Sequence, residues 1–83
     1  VLIITDEIYA DLSFDEFKSI ATLSKIKDQL IYLNGFSKAH SMTGWRIGYV
    51  HANSELISKM IIINDHLNMN TAAFIQKGAV FKV

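Results

Sequence analysis

The segment Gln29-Leu30-Ile31-Tyr32-Leu33-Asn34-Gly35, followed by Ser37-Lys38-Ala39-His40-Ser41-Met42-Thr43-Gly44 and then Trp45-Arg46-Ile47-Gly48-Tyr49-Val50-His51, decides how this chain is built. Gln29 to Asn34 is an apolar run without polar alternation, the pattern of a strand covered on both faces. Gly35 ends it. Trp45 to His51 alternates enough to form another strand. A parallel return needs a crossover of a dozen or more residues. Ser37 to Gly44 is too short for one, so these two strands are antiparallel.

Working outward, Val1-Leu2-Ile3-Ile4-Thr5 is a further strand of the buried kind, with Asp6 at its carboxyl end. Tyr9 to Asp28 keeps no sustained period and reads as a crossover region, with a turn at Asp15-Glu16-Phe17 and a short helix over Ser19-Ile20-Ala21-Thr22-Leu23. Asn53 or Ser54 caps a helix through about Asn68, whose Leu56, Ile57, Met60, Ile61, Ile63 and Leu67 form an apolar stripe at helical spacing. Thr71 starts another helix carrying Ala72, Phe74, Ile75, Ala79 and Val80. The order is β, irregular segment, β, β, α, α, an α/β arrangement.

Eighty-three residues at 9.4 kDa, 51% hydrophobic and 19% charged, suffice for one small folded unit and exclude a two-domain catalyst. A chain of this mass buries about 60 to 65% of its unfolded surface, so its core is thin. Eight basic against eight acidic residues leave no electrostatic footprint for nucleic acid or an anionic membrane. There is no Cys, no signal peptide and no apolar stretch long enough to span a bilayer, which fits a reducing cytoplasm. The chain opens on an apolar run without Met and closes on Ala79-Val80-Phe81-Lys82-Val83. The expectation is a piece of something larger, with too few helices to cover its strands and an exposed apolar face when made alone.

Polar groups just past the carboxyl ends of buried parallel strands sit where open α/β sheets bind ligands. Two clusters qualify: Asp6-Glu7-Ile8-Tyr9, and Ser37-Lys38 with Gly44-Trp45-Arg46-Ile47-Gly48-Tyr49 a little further on. Arg46 is the single Arg of the chain, and glycines at 44 and 48 allow close approach of backbone or ligand. Its planar fork suits a phosphate or carboxylate; a structural pairing with a carboxylate is the plainer account. Lys38 at a strand end suits a pocket in which a desolvated amine becomes nucleophilic, although most lysines are merely solvated. His40, His51 and His66 match no zinc spacing, so no metal site is expected. His40 reads as a loop residue at a pocket edge, Trp45 as packing against the strand, and Glu7 as pointing away from Asp6. The Met60-Ile61-Ile62-Ile63 run is expected to pack on the sheet rather than serve a partner.

Asp-x-x-Tyr after a buried strand, then Ser-Lys at the end of the next, then an Arg inside Gly-Trp-Arg-x-Gly-Tyr together resemble the class I/II aminotransferases, pyridoxal 5′-phosphate enzymes of fold type I. Nearly all of residues 1–83 resembles part of the family's large domain, an aspartate aminotransferase-like, mostly parallel sheet with one antiparallel strand and flanking helices. The resemblance implies that Lys38 carries the cofactor as an internal aldimine and shuttles the proton. It also implies that Asp6 pairs with the pyridine nitrogen, Tyr9 donates to the ring phenolate, and Arg46 and Ser37 hold the phosphate. It implies a cytoplasmic homodimer that moves an amino group between an amino acid and a 2-oxo acid.

Two departures stand out. Where many relatives have a phosphate-binding Ser three residues before the Lys, Gly35 stands here, a variation found in one branch of the family, with Gly35 expected to offer a backbone contact. A Pro common at the join of the last two helices is absent, Asn70-Thr71 running straight into Ala72-Ala73. Two alternatives share the resemblance: another fold type I enzyme, such as a C–S lyase or a synthase, and an aminotransferase-like ligand-sensing domain of a transcription regulator. Residues 1–83 alone are expected to be inactive, because other cofactor and substrate contacts of the family fall outside them.

Overall fold

The computed structural model describes residues 1–67 and 70–81. Strands β1 (Ile3–Asp6), β2 (Leu30–Gly35) and β3 (Gly48–His51) form one sheet in that spatial order. β1 and β2 are parallel, with Ile3 opposite Leu30 and Asp6 opposite Leu33. β2 and β3 are antiparallel, with Tyr32 opposite His51 and Gly35 opposite Gly48. The long segment between β1 and β2 returns the chain parallel, whereas the loop after β2 is folded back on itself by the Met42 N–H on the Phe36 carbonyl and delivers β3 antiparallel. Helices α1 (Ser54–Leu67) and α2 (Ala73–Val80) complete the order.

Strand limits differ from expectation: β1 covers Ile3–Asp6 where residues 1–5 were expected, and β2 covers Leu30–Gly35 where residues 29–34 were expected. Asp6 belongs to the β1 ladder instead of following it. β3 begins at Gly48 and not at Trp45, because Thr43–Trp45 is a 3-10 turn and Arg46 is left-handed at φ 51° and ψ 51°. The Trp45 N–H donates to the Met42 carbonyl at 3.2 Å, so the chain is still turning there and cannot extend. In the crossover, Ile20–Thr22 is a 3-10 turn capped by Ser19, whose hydroxyl accepts the Ala21 N–H at 3.1 Å. The bend before it lies at Phe14 and Asp15, one residue earlier than expected. Ala10–Leu12 and Ser24–Gln29 form further 3-10 turns, too short for a periodic pattern to betray.

Asn53 caps α1: its side-chain oxygen accepts the Leu56 N–H at 2.9 Å, while its amide donates to the Asp28 carbonyl at 2.7 Å and ties the helix start to the entry of β2. An exposed Lys59–Glu55 pair at 3.3 Å adds about 0.3–0.5 kcal/mol. The helix ends at Leu67 among the described residues; Asn68, where it was expected to close, lies outside them. α2 starts at Ala73, later than Thr71, because Ala72 is not yet helical, at φ -55° and ψ 137°.

The core lies where Phe36, Met42 and Ala79 of α2 meet, with Ile47 packed against them. It is small. The chain exposes 6722 Å² where a compact protein of its mass exposes about 5,000 Å², and its extents of 36 × 35 × 17 Å describe a plate. Leu30 and Ile31 of β2 are buried, yet Ile4 of β1 is 66% exposed. The expected packing of Met60-Ile61-Ile62-Ile63 on the sheet is corrected by the structure: Ile61, Ile62 and Ile63 are all more than half exposed. Three short strands offer too narrow a surface for a 14-residue helix, and Val50 meets only part of its stripe across an open groove. The Trp45 ring lies by Gly78 of α2, about 3.9 Å from where a Cβ there would stand.

Gly35 and Gly48 face each other across β2 and β3. A Cβ on Gly48 would stand 3.0 Å from the Asn34 carbonyl oxygen, and one on Gly35 would meet Ile8, the Ile47 carbonyl and Gly48 Cα at 3.1 to 3.3 Å. By contrast, a Cβ on Gly44 meets nothing within 4 Å. Gly48→Ala should therefore lower unfolding stability by about 1–3 kcal/mol, whereas Gly44→Ala stays within about 0.5 kcal/mol of the parent. Equilibrium denaturation of the full-length protein checks this, and equal midpoints for the two variants would refute the close-approach account.

Candidate active site

The parallel pairing of β1 with β2 brings their carboxyl ends side by side, so Asp6 and the chain leaving Gly35 open on the same edge. The Asp6 carboxylate accepts the Ile8 N–H at 3.1 Å, an Asx turn that swings the chain off the sheet towards Tyr9. Two more turns follow: Ala10 N–H to the Glu7 carbonyl and Leu12 N–H to the Tyr9 carbonyl, both at 3.0 Å. They leave the Tyr9 ring exposed on the rim.

Past β2, the loop is closed at its base by the Phe36 N–H on the Ile47 carbonyl at 3.4 Å. Inside it, the Met42 N–H reaches the carbonyls of Phe36 and Ser37 at 3.3 and 3.2 Å, and the Ser41 N–H reaches that of Lys38 at 3.2 Å. Ser41, at φ 54°, takes the left-handed turn. Phe36 and Met42 anchor both arms in the core, which fixes the intervening Ser37 and Lys38 without burying them. Lys38 is exposed, and its Nζ lies 5.8 Å from the centre of the Tyr9 ring, a cation–π contact. The Arg46 Nη1 donates to the Thr43 carbonyl at 2.9 Å. No carboxylate pairs with Arg46, so the structural pairing that competes for it is absent among the described residues.

Asp6, Ser37 and Arg46 line one cleft of about 300 Å³, floored by Leu33, Asn34, Gly35 and Gly48. Lys38 and Tyr9 meet each other beside it, joined to it through Ser37. The donor set suits pyridoxal 5′-phosphate: a guanidinium and a hydroxyl for a phosphate, a carboxylate for a ring nitrogen, an amine for an aldehyde and a phenol for a ring oxygen. The backbone contact expected of Gly35 is not offered by its N–H, which donates to the Asn34 side chain at 2.7 Å. Its want of a Cβ is explained by crowding.

Glu7, which sequence reasoning turned away from Asp6, is the single buried charged side chain among the described residues. Its neighbours in the other cleft include Tyr32, Asn34 and Tyr49. There Asn34 donates to the Tyr32 hydroxyl at 2.7 Å. Partial burial, and then the Tyr32 hydroxyl, raise the Tyr49 phenol above its ordinary range. His40 is half-buried, its ring 5.4 Å from that of Phe36, on the wall of a larger cleft of about 660 Å³. Among the described residues no cluster of His, Asp or Glu could hold a metal ion, and no helix is long and apolar enough to cross a membrane.

Residues 1–80 match the family model for aminotransferase class I and II. The aspartate aminotransferase of Bacillus subtilis is 43% identical over 83 residues, covering 96% of this chain and 21% of that protein. The aspartate aminotransferase of Thermotoga maritima is 45% identical over 74 residues, covering 86% of this chain and 20% of its own length. The crystal structure of an aspartate aminotransferase from Thermotoga maritima superimposes with a TM-score of 0.87 over 94% of this chain and 21% of the other, at 40% identity. An aromatic aminotransferase from Pyrococcus horikoshii gives 0.85 over 92% and 21%, at 37% identity. The chain thus spans about a fifth of the length of the relatives it matches. With three strands in the mixed order, the family model matched over residues 1–80 and the superpositions on solved aminotransferases, the chain belongs to the class I and II aminotransferase family.

Proposed function

We propose that residues 1–83 are part of the pyridoxal 5′-phosphate-binding large domain of an aminotransferase that moves an amino group between an amino acid and a 2-oxo acid. The observation that carries this reading is the convergence of Asp6, Ser37 and Arg46 on one cleft, with Lys38 and Tyr9 in contact at its side. When bound, the cofactor supplies an aldehyde that condenses with amines and a ring that withdraws electrons from the substrate's α-carbon. Arg46 and Ser37 bind its phosphate as cation and hydroxyl donor. Asp6, held by its Asx turn, presents a carboxylate that keeps a ring nitrogen protonated. Tyr9 would hold a ring oxygen through its phenol, and the Lys38 amine would hold the cofactor at its aldehyde carbon, with water as the leaving group, and would serve as the proton carrier at the substrate's α-carbon.

The relatives' names favour amino-group transfer over elimination chemistry and over a ligand-sensing regulator. A cytoplasmic homodimer belongs to the same proposal, as it is implied by the family. The test is to supply the full-length protein with pyridoxal phosphate, an amino acid and a 2-oxo acid. Stoichiometric appearance of the new amino acid is expected. Release of pyruvate and ammonia instead, or no cofactor binding at all, would overturn the reading.

A further inference from the structure

Glu7 is 6% exposed, and nothing in the cofactor chemistry uses it. Three of its groups are engaged, each to a different element. Its N–H donates to the Leu33 carbonyl at 3.0 Å, extending the β1–β2 ladder one residue past Asp6. Its carbonyl accepts the Ala10 N–H at 3.0 Å and so closes the turn that carries Tyr9. Its Oε1 accepts the Ile20 N–H at 3.2 Å, thirteen residues away, and the Thr5 hydroxyl at 3.4 Å. Oε2 is buried with no partner among the described residues. An unpaired buried carboxylate oxygen is destabilising, so filling space does not account for this side chain; an apolar one would fill it better.

What the side chain does hold is a long-range bond between the Asp6–Tyr9 turn and the Ser19–Thr22 turn. Asp6 precedes Glu7 directly, and Tyr9 follows two residues later on a rim with no buried anchor of its own. We propose that Glu7 is a positioning residue: by binding the Ile20 amide it fixes the turn that aims Asp6 and Tyr9 at the bound cofactor ring. The inference rests on the aminotransferase reading only for what Asp6 and Tyr9 touch; the tether itself is independent of it.

Two measurements on the full-length protein test it. In the cofactor-free protein, Glu7→Leu should raise amide exchange at Ile20 and across residues 8–12 on the order of tenfold, leaving the β1 and β2 ladder amides unchanged. Glu7→Gln, which keeps an acceptor oxygen, should exchange like the parent. With pyridoxal phosphate bound, the pH midpoint of its visible absorbance should move in Glu7→Leu and return in Glu7→Gln. Should Glu7→Leu not fold, Glu7→Asp withdraws the oxygen by one methylene, and the same local rise is expected.

Unchanged exchange at residues 8–12, or a uniform rise at every amide, would overturn the tether. An unmoved absorbance midpoint with the local rise present would overturn its role in aiming Asp6 and Tyr9. A parent protein that binds no cofactor sinks the aminotransferase reading and the aiming role with it, while the exchange experiment still decides the tether.

Discussion

On the proposed reading, Lys38→Ala in the full-length protein is expected to lower amino-group transfer by about a thousandfold or more, since it would remove both the acid–base group and the amine assigned to the cofactor. Borohydride should then fix no cofactor on the peptide containing position 38. Because the Lys38 side chain is exposed and its contact is with the Tyr9 ring face, the folded state should lose no more than about 0.5 kcal/mol. A dead but folded enzyme is therefore the expected outcome. Lys38→Arg separates charge from chemistry: a guanidinium keeps the cation over Tyr9 yet cannot give up its proton near neutrality, so it should be as inactive as the alanine variant. Activity within tenfold of the parent in either variant would sink the assignment of Lys38.

The second large effect is expected at Arg46, where binding and backbone strain pull in opposite directions. Its left-handed backbone, at φ 51° and ψ 51°, costs a residue with a Cβ about 1–2 kcal/mol. Arg46→Gly should raise the stability of the cofactor-free protein by up to about 1 kcal/mol. The same change removes the cation from the cleft it shares with Asp6 and Ser37. Loss of charge-assisted bonds worth about 1.5–3 kcal/mol should weaken pyridoxal phosphate binding by about 10- to 100-fold. Arg46→Ala should lose the same affinity without the gain in stability. Thermal unfolding of the cofactor-free protein and a cofactor titration measure the two halves separately. Tight binding by the glycine variant would contradict the phosphate role, and equal stability of the two variants would contradict the strain.

Much of this was legible along the chain. Apolar runs at residues 1–5 and 29–34 marked two strands, and the polar loop between residues 37 and 44 was short enough to require an antiparallel partner, as observed. The end of β3 at His51 agrees, but its start was missed because Trp45 and Ile47 alternate like a strand while the backbone between them is left-handed. Alternation records which side chains are apolar, whereas a positive φ leaves no mark in side-chain type. The stripe on α1 was also real as a pattern and misleading as a statement of packing, since Ile61 and Ile63 stay more than half exposed beside so small a sheet.

Strand patterning and connection length by themselves determined the class of fold, and the resemblance of short motifs to a known family singled out the five candidates Asp6, Tyr9, Ser37, Lys38 and Arg46. Strand patterning, connection length and donor type are local properties, written in consecutive residues. Only the tertiary structure decided that three of the five share one cleft while Lys38 and Tyr9 pair beside it. It alone showed that Gly35 is required by crowding against Ile8, Ile47 and Gly48, and that Glu7 reaches Ile20. Those facts are distances between residues far apart in the chain. No periodicity encodes them, because they exist only once the crossover has laid β1 beside β2 and α2 has closed over Phe36 and Met42.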